Sequence, residues 1–562
     1  MILTHITDLV AICAKKGIRN VILSPGSRCA PLTLAFARHP DIHTRTASDE
    51  RSAAFIALGM AQQLEEPVAL VCTSGSAALN YYPAIAEAFF QQIPLLVLTA
   101  DRPKEWIDQY DGQTIFQDEV YGKHIKGSFQ FPNSISSPDD RWMASRISNE
   151  GINLAKKFPA GPVHINIPLK EPFYPEQQEQ LLFPKDPHVF VFEQAQSILT
   201  DETLAKLKNR LGSVKRVLII PGQSRPNSKL QEQLDLLSQN KNVVIVSDTI
   251  SNFQSAESIG YHDHWLGNSG LTALLEPDLI ISFGKSIISK GLKLFLRKTK
   301  ASHWHIQEDG KAKDTFKRLT RILPTSPLPF FHWLNNNLGT QDQEFHQNWH
   351  DLDSKVESEL PKVLKSMEFG EYNALYESIN RVPSRSKIHV ANSMAVRYMN
   401  FLGKREQEII CNRGTSGIDG SNSTAVGCTF TTKEIVTLIT GDMAFFYDRN
   451  AFWHNYAMPN LRIILLNNHG GGIFRMIEGP SNQPELEEFF ETKQKLSAQH
   501  LATEYGFFYS KVVNLSELES SLQDFYDDSL HPKILEIETS SPKNEEILKA
   551  VKAKISQALA KG

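Results

Sequence analysis

Short runs of valine, isoleucine and leucine recur along the chain, and each halts on a small polar or glycine-containing cluster. "EIVTLITGD" (434–442) and "LRIILLNNHGGG" (461–472) are the sharpest cases. A run that is apolar at every position is buried on both faces, which suits a strand inside a parallel sheet covered by helices. Helix-length amphipathic stretches between the runs supply that cover, so the pattern predicts α/β architecture. The runs fall into three groups. The first holds "NVILSPGS", "PVALVCTSG", "IPLLVLTAD" and "GPVHINIP". The second holds "KRVLIIPGQS", "NVVIVSDT", "PDLIISFGK" and "SHWHIQED". The third holds "EIICNRGTSGIDG", the two runs quoted first, and "PKILEIE". A polar, proline-containing stretch from Glu171 to about Pro187 reads as a linker. A charged region with little pattern, about Thr340 to Glu371, leads to the third group. We therefore expect three α/β domains with parallel sheets, over residues 1–180, 188–340 and 372–562.

A chain of 562 residues, 41% hydrophobic and 22% charged, has material for several cores. A net charge of -4 offers no basic field for nucleic acid. The opening "MILTHITDLVAICAKKGIRN" has no basic flank before an apolar core, so it reads as an amphipathic helix and not a signal peptide. No apolar run reaches the roughly 18 residues that a membrane span needs. Five scattered cysteines, none spaced C-x-x-C, fit reduced thiols in the cytoplasm.

Ligands on parallel sheets bind beyond the carboxyl ends of the strands. There Asp442 offers a carboxylate, Asn468 an amide oxygen, and a following glycine a carbonyl. Hard oxygens of this kind suit magnesium or calcium, and magnesium completes its shell with phosphates and water. A helix beginning near Met443 would turn its N-terminus to the same place. Gly470, Gly471 and Gly472 leave the backbone bare for close approach. Either half alone reads more readily as a turn after a strand; two halves about 26 residues apart, both after buried strands, are more specific. Other signals carry less. "SFGKS" (282–286) has Leu279 where a phosphate loop needs its first glycine. The histidines of "YHDHW" and "HWHIQED" lack a third ligand and read as structural or surface histidines. The middle group has no G-x-G-x-x-G, so no dinucleotide or FAD is expected.

The G-D, the spacing and the N-N together resemble the metal-diphosphate signature of thiamine diphosphate enzymes, although Met443 stands where glycine commonly follows. "LSPGSRCAPLT", "ASDERSAAFIALGMA", "TSGSAALNYYPAIAEA", "LTADRP", "NSMAVR", "NRGTSGIDGSNSTAVG" and "GDMAFFYDRNAF" narrow the likeness. They resemble the 2-succinyl-5-enolpyruvyl-6-hydroxy-3-cyclohexene-1-carboxylate synthase family of menaquinone and phylloquinone biosynthesis. The likeness spans both outer domains and is weak in the middle one.

The resemblance implies a thiamine diphosphate-binding fold, with a pyrimidine-binding N-terminal domain and a diphosphate-binding C-terminal one. It implies Mg2+, with Mn2+ as an alternative, held by Asp442, Asn468 and the Gly470 carbonyl. Around the cofactor it places Glu50, Ser416, Gly417, Ile418, Gly441, Asp442, Met443, Ala444, Asn468, Gly470, Ile473 and Phe474. Glu50 would touch the pyrimidine N1′ and so promote loss of the C2 proton; on its own it reads as an N-terminal carboxylate of a helix from Arg51 to about Gln62, capped by Asp49 or Ser48. Ile418 would wedge the bent cofactor, or simply pack in the core. Ile473 and Phe474 would wall the thiazolium from water.

The implied reaction is decarboxylation of 2-oxoglutarate with conjugate addition of the succinyl-semialdehyde carbanion to isochorismate. Two dianionic substrates need cations, preferably arginines. Arg28, Arg102, Arg397 and Arg413 sit in the matching motifs, with Ser27, Gln113 and Ser393 as neutral partners and Lys290 as a fifth cation. Members of the family carry a second basic residue after that lysine, where this chain has Gly291. The resemblance further implies a homodimer or homotetramer with active sites at subunit interfaces. The rival readings are another thiamine diphosphate-dependent 2-oxoacid decarboxylase or carboligase, which would not need four arginines, and a non-catalytic binding protein on the same fold.

Overall fold

A computed structural model describes residues 4–176, 180–266, 272–339 and 342–561. The first sheet contains β1 (Asn20–Leu23), β2 (His43–Thr46), β3 (Val68–Cys72), β4 (Leu95–Asp101), β5 (Ser128–Gln130) and β6 (Pro162–Pro168), in the order β2-β1-β3-β4-β6-β5. The second contains β7 (Val217–Pro221), β8 (Val243–Ile245), β9 (Leu279–Phe283), β10 (Ser302–Ile306) and β11 (Leu319–Leu323), in the order β11-β10-β9-β7-β8. The third contains β12 (Ser386–Val390), β13 (Glu408–Ile410), β14 (Ile435–Gly441), β15 (Leu461–Asn467), β16 (Phe508–Val512) and β17 (Lys533–Glu538), in the order β13-β12-β14-β15-β17-β16. All pairings are parallel. The first and third sheets share one strand order, and each reverses direction between its first and third strands. Crevices open at such switch points, beyond the carboxyl ends.

The two outer sheets dock through a pair of helices, Glu50–Leu64 and Ser421–Thr429. Glycines let their backbones approach: a Cβ on Gly59 would lie 2.0 Å from the Thr424 carbonyl oxygen, and one on Gly427 would lie 2.0 Å from that of Ile56. The hydrophobic core beneath is continuous, joining Phe55, Ile56 and Met60 to Val426, Leu438 and Phe452. Asp49 caps the first of these helices, its carboxylate accepting from Ser52 N–H at 3.2 Å.

The stretch from Thr340 to Glu371 holds a 23-residue helix, Gln343–Lys365. Phe345, Trp349, Val356, Leu360 and Leu364 are buried on one face, and Pro361 does not end it. The helix is tied to the central domain by Trp349 Nε1–H donating to the Leu275 carbonyl (3.2 Å) and by Asp353 accepting from Gly260 and Tyr261 N–H. Residues 340–341 of that stretch, 177–179 of the first expected linker, and 1–3 lie outside the described residues. Among the described residues no helix is long and apolar enough to cross a membrane.

Candidate active site

β14 and β15 run in register, Gly441 opposite Leu466, so Asp442 and Asn467–Asn468 emerge at one level from adjacent strands. Asp442 is buried. Its Oδ2 accepts from Gln494 Nε2 at 2.6 Å and its Oδ1 from Met443 N–H at 2.9 Å. No lysine or arginine pairs with it among the described residues, and burial raises its pKa to about 6 against those hydrogen bonds. Asn468 donates from Nδ2 to Glu371 Oε1 at 2.6 Å, while its buried Oδ1 has no partner among the described residues. Glu371 is itself buried; burial raises its pKa to about 7 against the Asn468 hydrogen bond, and the Asp442 charge raises it further. A Cβ on Gly470 would lie 3.0 Å from the Glu491 carbonyl, which accepts from Gly471 N–H at 2.7 Å. The glycines are thus pressed under the segment that carries Gln494. An uncompensated carboxylate beside an orphaned amide oxygen is the donor set that a hard divalent cation fits.

Next to this loop the helix Asp442–Tyr447 is only six residues long, with Ala444 buried and Met443 half-buried. Ile473 and Phe474 follow the glycines in a short 3-10 turn and are half-buried, the Phe474 ring 5.8 Å from that of Phe490.

The loops after β12 and β13 form one unit. Asn392 donates to the carbonyls of Asn412 (2.6 Å) and Gly417 (2.7 Å), and its Oδ1 accepts from Arg413 Nη1 (2.8 Å). Arg397 Nη1 donates to the Ser393 carbonyl at 2.6 Å. Ser393 (φ 72°) and Ser416 (φ 62°) sit in the left-handed region, conformations that the surroundings must enforce on non-glycine residues. Gly417 and Ile418 complete the turn. Part of that enforcement comes from the first domain. Buried Glu87 accepts from Gly414 N–H (2.8 Å), Thr415 N–H (2.6 Å) and Thr415 Oγ1 (2.6 Å). Gln223 of the central domain donates to the Cys411 carbonyl at 2.8 Å, so three domains meet where Arg413 leaves its strand.

A second half-set lies at the ends of β1, β4 and β6. Arg28 is buried, donating to the Leu169 carbonyl (2.7 Å) with its guanidinium 4.8 Å from the Phe173 ring. Ser27 is exposed, 3.4 Å from the Tyr174 hydroxyl. Arg102 donates to the Gly112 carbonyl (2.7 Å) and pairs with Asp111 (3.1 Å), which anchors the loop carrying Gln113. Glu50 opens its helix half-buried, with a long contact from Asn80 Nδ2 at 3.5 Å. Among the described residues no hydrogen bond or ion pair joins this half-set to the one around Asp442 and Arg413. Lys290 is exposed at the start of the helix Lys290–Lys298. Sequence reasoning missed Glu371, Gln494, Asn392 and Glu87; each acts through a distant loop, and no local spacing marks them. The histidines set aside as structural are so placed: His303 and His305 share Ser282 Oγ, and His262 faces Asp248.

Fold and loops together define the thiamine diphosphate enzymes. The family described as "Thiamine pyrophosphate enzyme, N-terminal TPP binding domain" matches residues 4–125, and "Middle domain of thiamine pyrophosphate" matches 182–389. Full-length relatives narrow this. A 2-succinyl-5-enolpyruvyl-6-hydroxy-3-cyclohexene-1-carboxylate synthase of Cytophaga hutchinsonii is 46% identical, over 98% of this chain and 99% of the relative. Proteins of the same name are 38% identical in Christiangramia forsetii (96% and 97% covered) and in Flavobacterium johnsoniae (96% and 97%). The chain belongs to the 2-succinyl-5-enolpyruvyl-6-hydroxy-3-cyclohexene-1-carboxylate synthase family.

Proposed function

We propose that this protein is a thiamine diphosphate-dependent transferase of menaquinone biosynthesis that decarboxylates 2-oxoglutarate and adds the resulting four-carbon unit to isochorismate, giving the product for which its relatives are named. The observation that carries the reading is buried Asp442, which pairs with no lysine or arginine among the described residues, together with Asn468, whose buried Oδ1 likewise has no partner among them. Those two oxygens and the Gly470 carbonyl would hold Mg2+ and through it the cofactor diphosphate. Bound thiamine diphosphate supplies the electron sink for decarboxylation and carbon–carbon bond formation. Glu50 would hold the proton shared with the pyrimidine N1′. Gly441, Met443, Ala444, Ser416, Gly417 and Ile418 would line the cofactor, with Ile473 and Phe474 keeping water from it. Arg397, Arg413 and Ser393 on one side, and Arg28, Arg102, Ser27 and Gln113 on the other, would take the substrate carboxylates.

The two half-sets come together, on this reading, across a homodimer. Supporting it, the segment that follows Arg102 leaves Tyr110 fully exposed and Phe116 73% exposed, unusual for aromatics on a finished surface. Five free, buried cysteines agree with a reducing cytoplasm. The test is the purified protein with thiamine diphosphate, Mg2+, 2-oxoglutarate and isochorismate. Loss of isochorismate absorbance that depends on all four additions supports the reading; no loss overturns it.

A further inference from the structure

We infer that Lys293 binds a substrate carboxylate, completing with Arg397 and Arg413 a three-cation set; this rests on the proposed function and adds a residue to it. Lys293 and Arg413 line the same cavity of about 1050 Å³ between the central domain and the outer ones. The rotation of the helix Lys290–Lys298 is fixed. Ser289 caps it, accepting from Leu292 N–H at 2.9 Å, and Leu292, Phe295 and Leu296 are buried, with Lys293 at the edge of that stripe. Lys293 is left half-buried.

Its charged surroundings are lopsided. Burial lowers its pKa; Asp248 opposes that shift, while Arg413, Arg297 and Arg397 reinforce it. Burial also lowers that of Arg397, with Arg413 the next cause. The nearby acids are already engaged. Asp248 takes Ser289 N–H (3.2 Å) and faces His262, and Asp263 takes Asn400 Nδ2 (2.8 Å) and Ser289 Oγ. Among the described residues none of Lys293, Arg397 and Arg413 forms an ion pair with a carboxylate, and Arg413 Nε is buried without a partner. The wall of the cavity also carries Glu308, Asp309 and Asp314, yet among the described residues Lys293 and Arg413 pair with none of them, and cations left so take a substrate carboxylate.

The family resemblance points instead to Lys290, after which members of the family carry a second basic residue where this chain has Gly291, and the structure explains why no side chain is accommodated there. A Cβ on Gly291 would lie 2.8 Å from the Leu266 carbonyl oxygen and 3.4 Å from Asp263 Oδ1, so any side chain there must displace backbone. Lys290 is exposed. Lys293, one turn on, is the helix's lysine that shares the cavity with Arg413.

Steady-state kinetics on Lys293→Ala and Lys293→Arg, with Lys298→Ala as the same-helix control, test the assignment. We expect Lys293→Ala to raise the KM of one substrate by about 10- to 100-fold at unchanged Tm and thiamine diphosphate affinity, with Lys293→Arg recovering most of the loss. The substrate affected tells whether the carboxylate is that of 2-oxoglutarate or isochorismate. Titration of isochorismate alone into the holoenzyme gives the same answer for that ligand without turnover. Wild-type KM values for both substrates in Lys293→Ala, in a protein whose parent turns both over, would overturn the inference and leave the proposed function standing. A wild-type protein that consumes neither would overturn both.

Discussion

Glu371 accepts a 2.6 Å hydrogen bond from Asn468 Nδ2, and this contact decides which way the Asn468 amide faces. With its nitrogen held by a carboxylate, the amide keeps its oxygen free to accept a cation. Glu371 opens the helix Glu371–Ile379, outside the strands that build the loop, and its own N–H is anchored by Asn544 Oδ1 at 3.0 Å. Removing the acceptor frees the amide to flip. Glu371→Ala is predicted to weaken Mg2+ binding 10- to 100-fold, the usual effect of losing a group that orients a metal ligand. Glu371→Gln, which can still accept through its amide oxygen, should lose far less. Calorimetric titration of Mg2+ in the presence of thiamine diphosphate checks both, and equal affinities in all three proteins would refute the orienting role.

Arg413 is held in place from two other domains, by way of Glu87 and Gln223, yet its Nε has no partner among the described residues. Arg413→Ala would leave a substrate carboxylate without its counter-charge, at a cost of roughly 2–5 kcal/mol if the pair is buried. The loss should appear in kcat/KM with cofactor affinity intact. Unchanged kinetics would make Arg413 a structural charge.

The docking of the outer domains depends on two hydrogen atoms in place of two methyl groups. Because the clash at Gly59 is with the Thr424 backbone, no rotamer change relieves it. Gly59→Ala is predicted to destabilise by about 1–3 kcal/mol or more, and Gly427→Ala by a similar amount. Scanning calorimetry would show lowered transitions in both; an unchanged profile would mean the helices slide apart freely.

Acid sensitivity has a nameable source. Burial pushes His389 in β12 down to about 3, and its Nε2 has no partner. An unfolded histidine takes a proton near pH 6.5 while the folded one stays neutral. Its contribution to stability is therefore complete above pH 6.5 and is lost as pH falls toward 3, at up to about 1.4 kcal/mol per pH unit. His164, pushed to about 3 by burial, acts in the same sense. His389→Leu should keep its stability at pH 7.5 and lose less Tm than wild type on going to pH 5. Parallel pH profiles would show that His389 does not titrate on unfolding.

Much of the fold could be read because inner strands are apolar throughout. The strands that escaped notice are chiefly edges. β2 ("HTRT"), β5, β11 and β16 are partly exposed along their length, so polar residues break the pattern. β12 ("SKIHV") is an inner strand masked by Lys387, which pairs with Glu408 at 2.6 Å, and by His389. The helix Gln343–Lys365 was hidden by its charged outer face, although Phe345, Trp349, Val356 and Leu360 mark its buried stripe. In the site, Asp442 and Asn468 were visible because both follow strands at a recognisable spacing. Glu371, Gln494 and Glu87 were not, since only tertiary folding brings them there.

On the proposed function, catalysis needs Glu50 from one half-set and Asp442 from the other, supplied by different protomers. Coexpression of Glu50→Gln and Asp442→Ala chains, each with its own purification tag, tests it directly. Each variant alone should be nearly inactive. In a mixed dimer one of the two sites pairs an intact Glu50 with an intact Asp442, so random assortment should restore about a quarter of wild-type activity on 2-oxoglutarate and isochorismate. If both residues of each site came from one chain, no mixture could contain an intact site; a mixture as inactive as its parents would contradict the account.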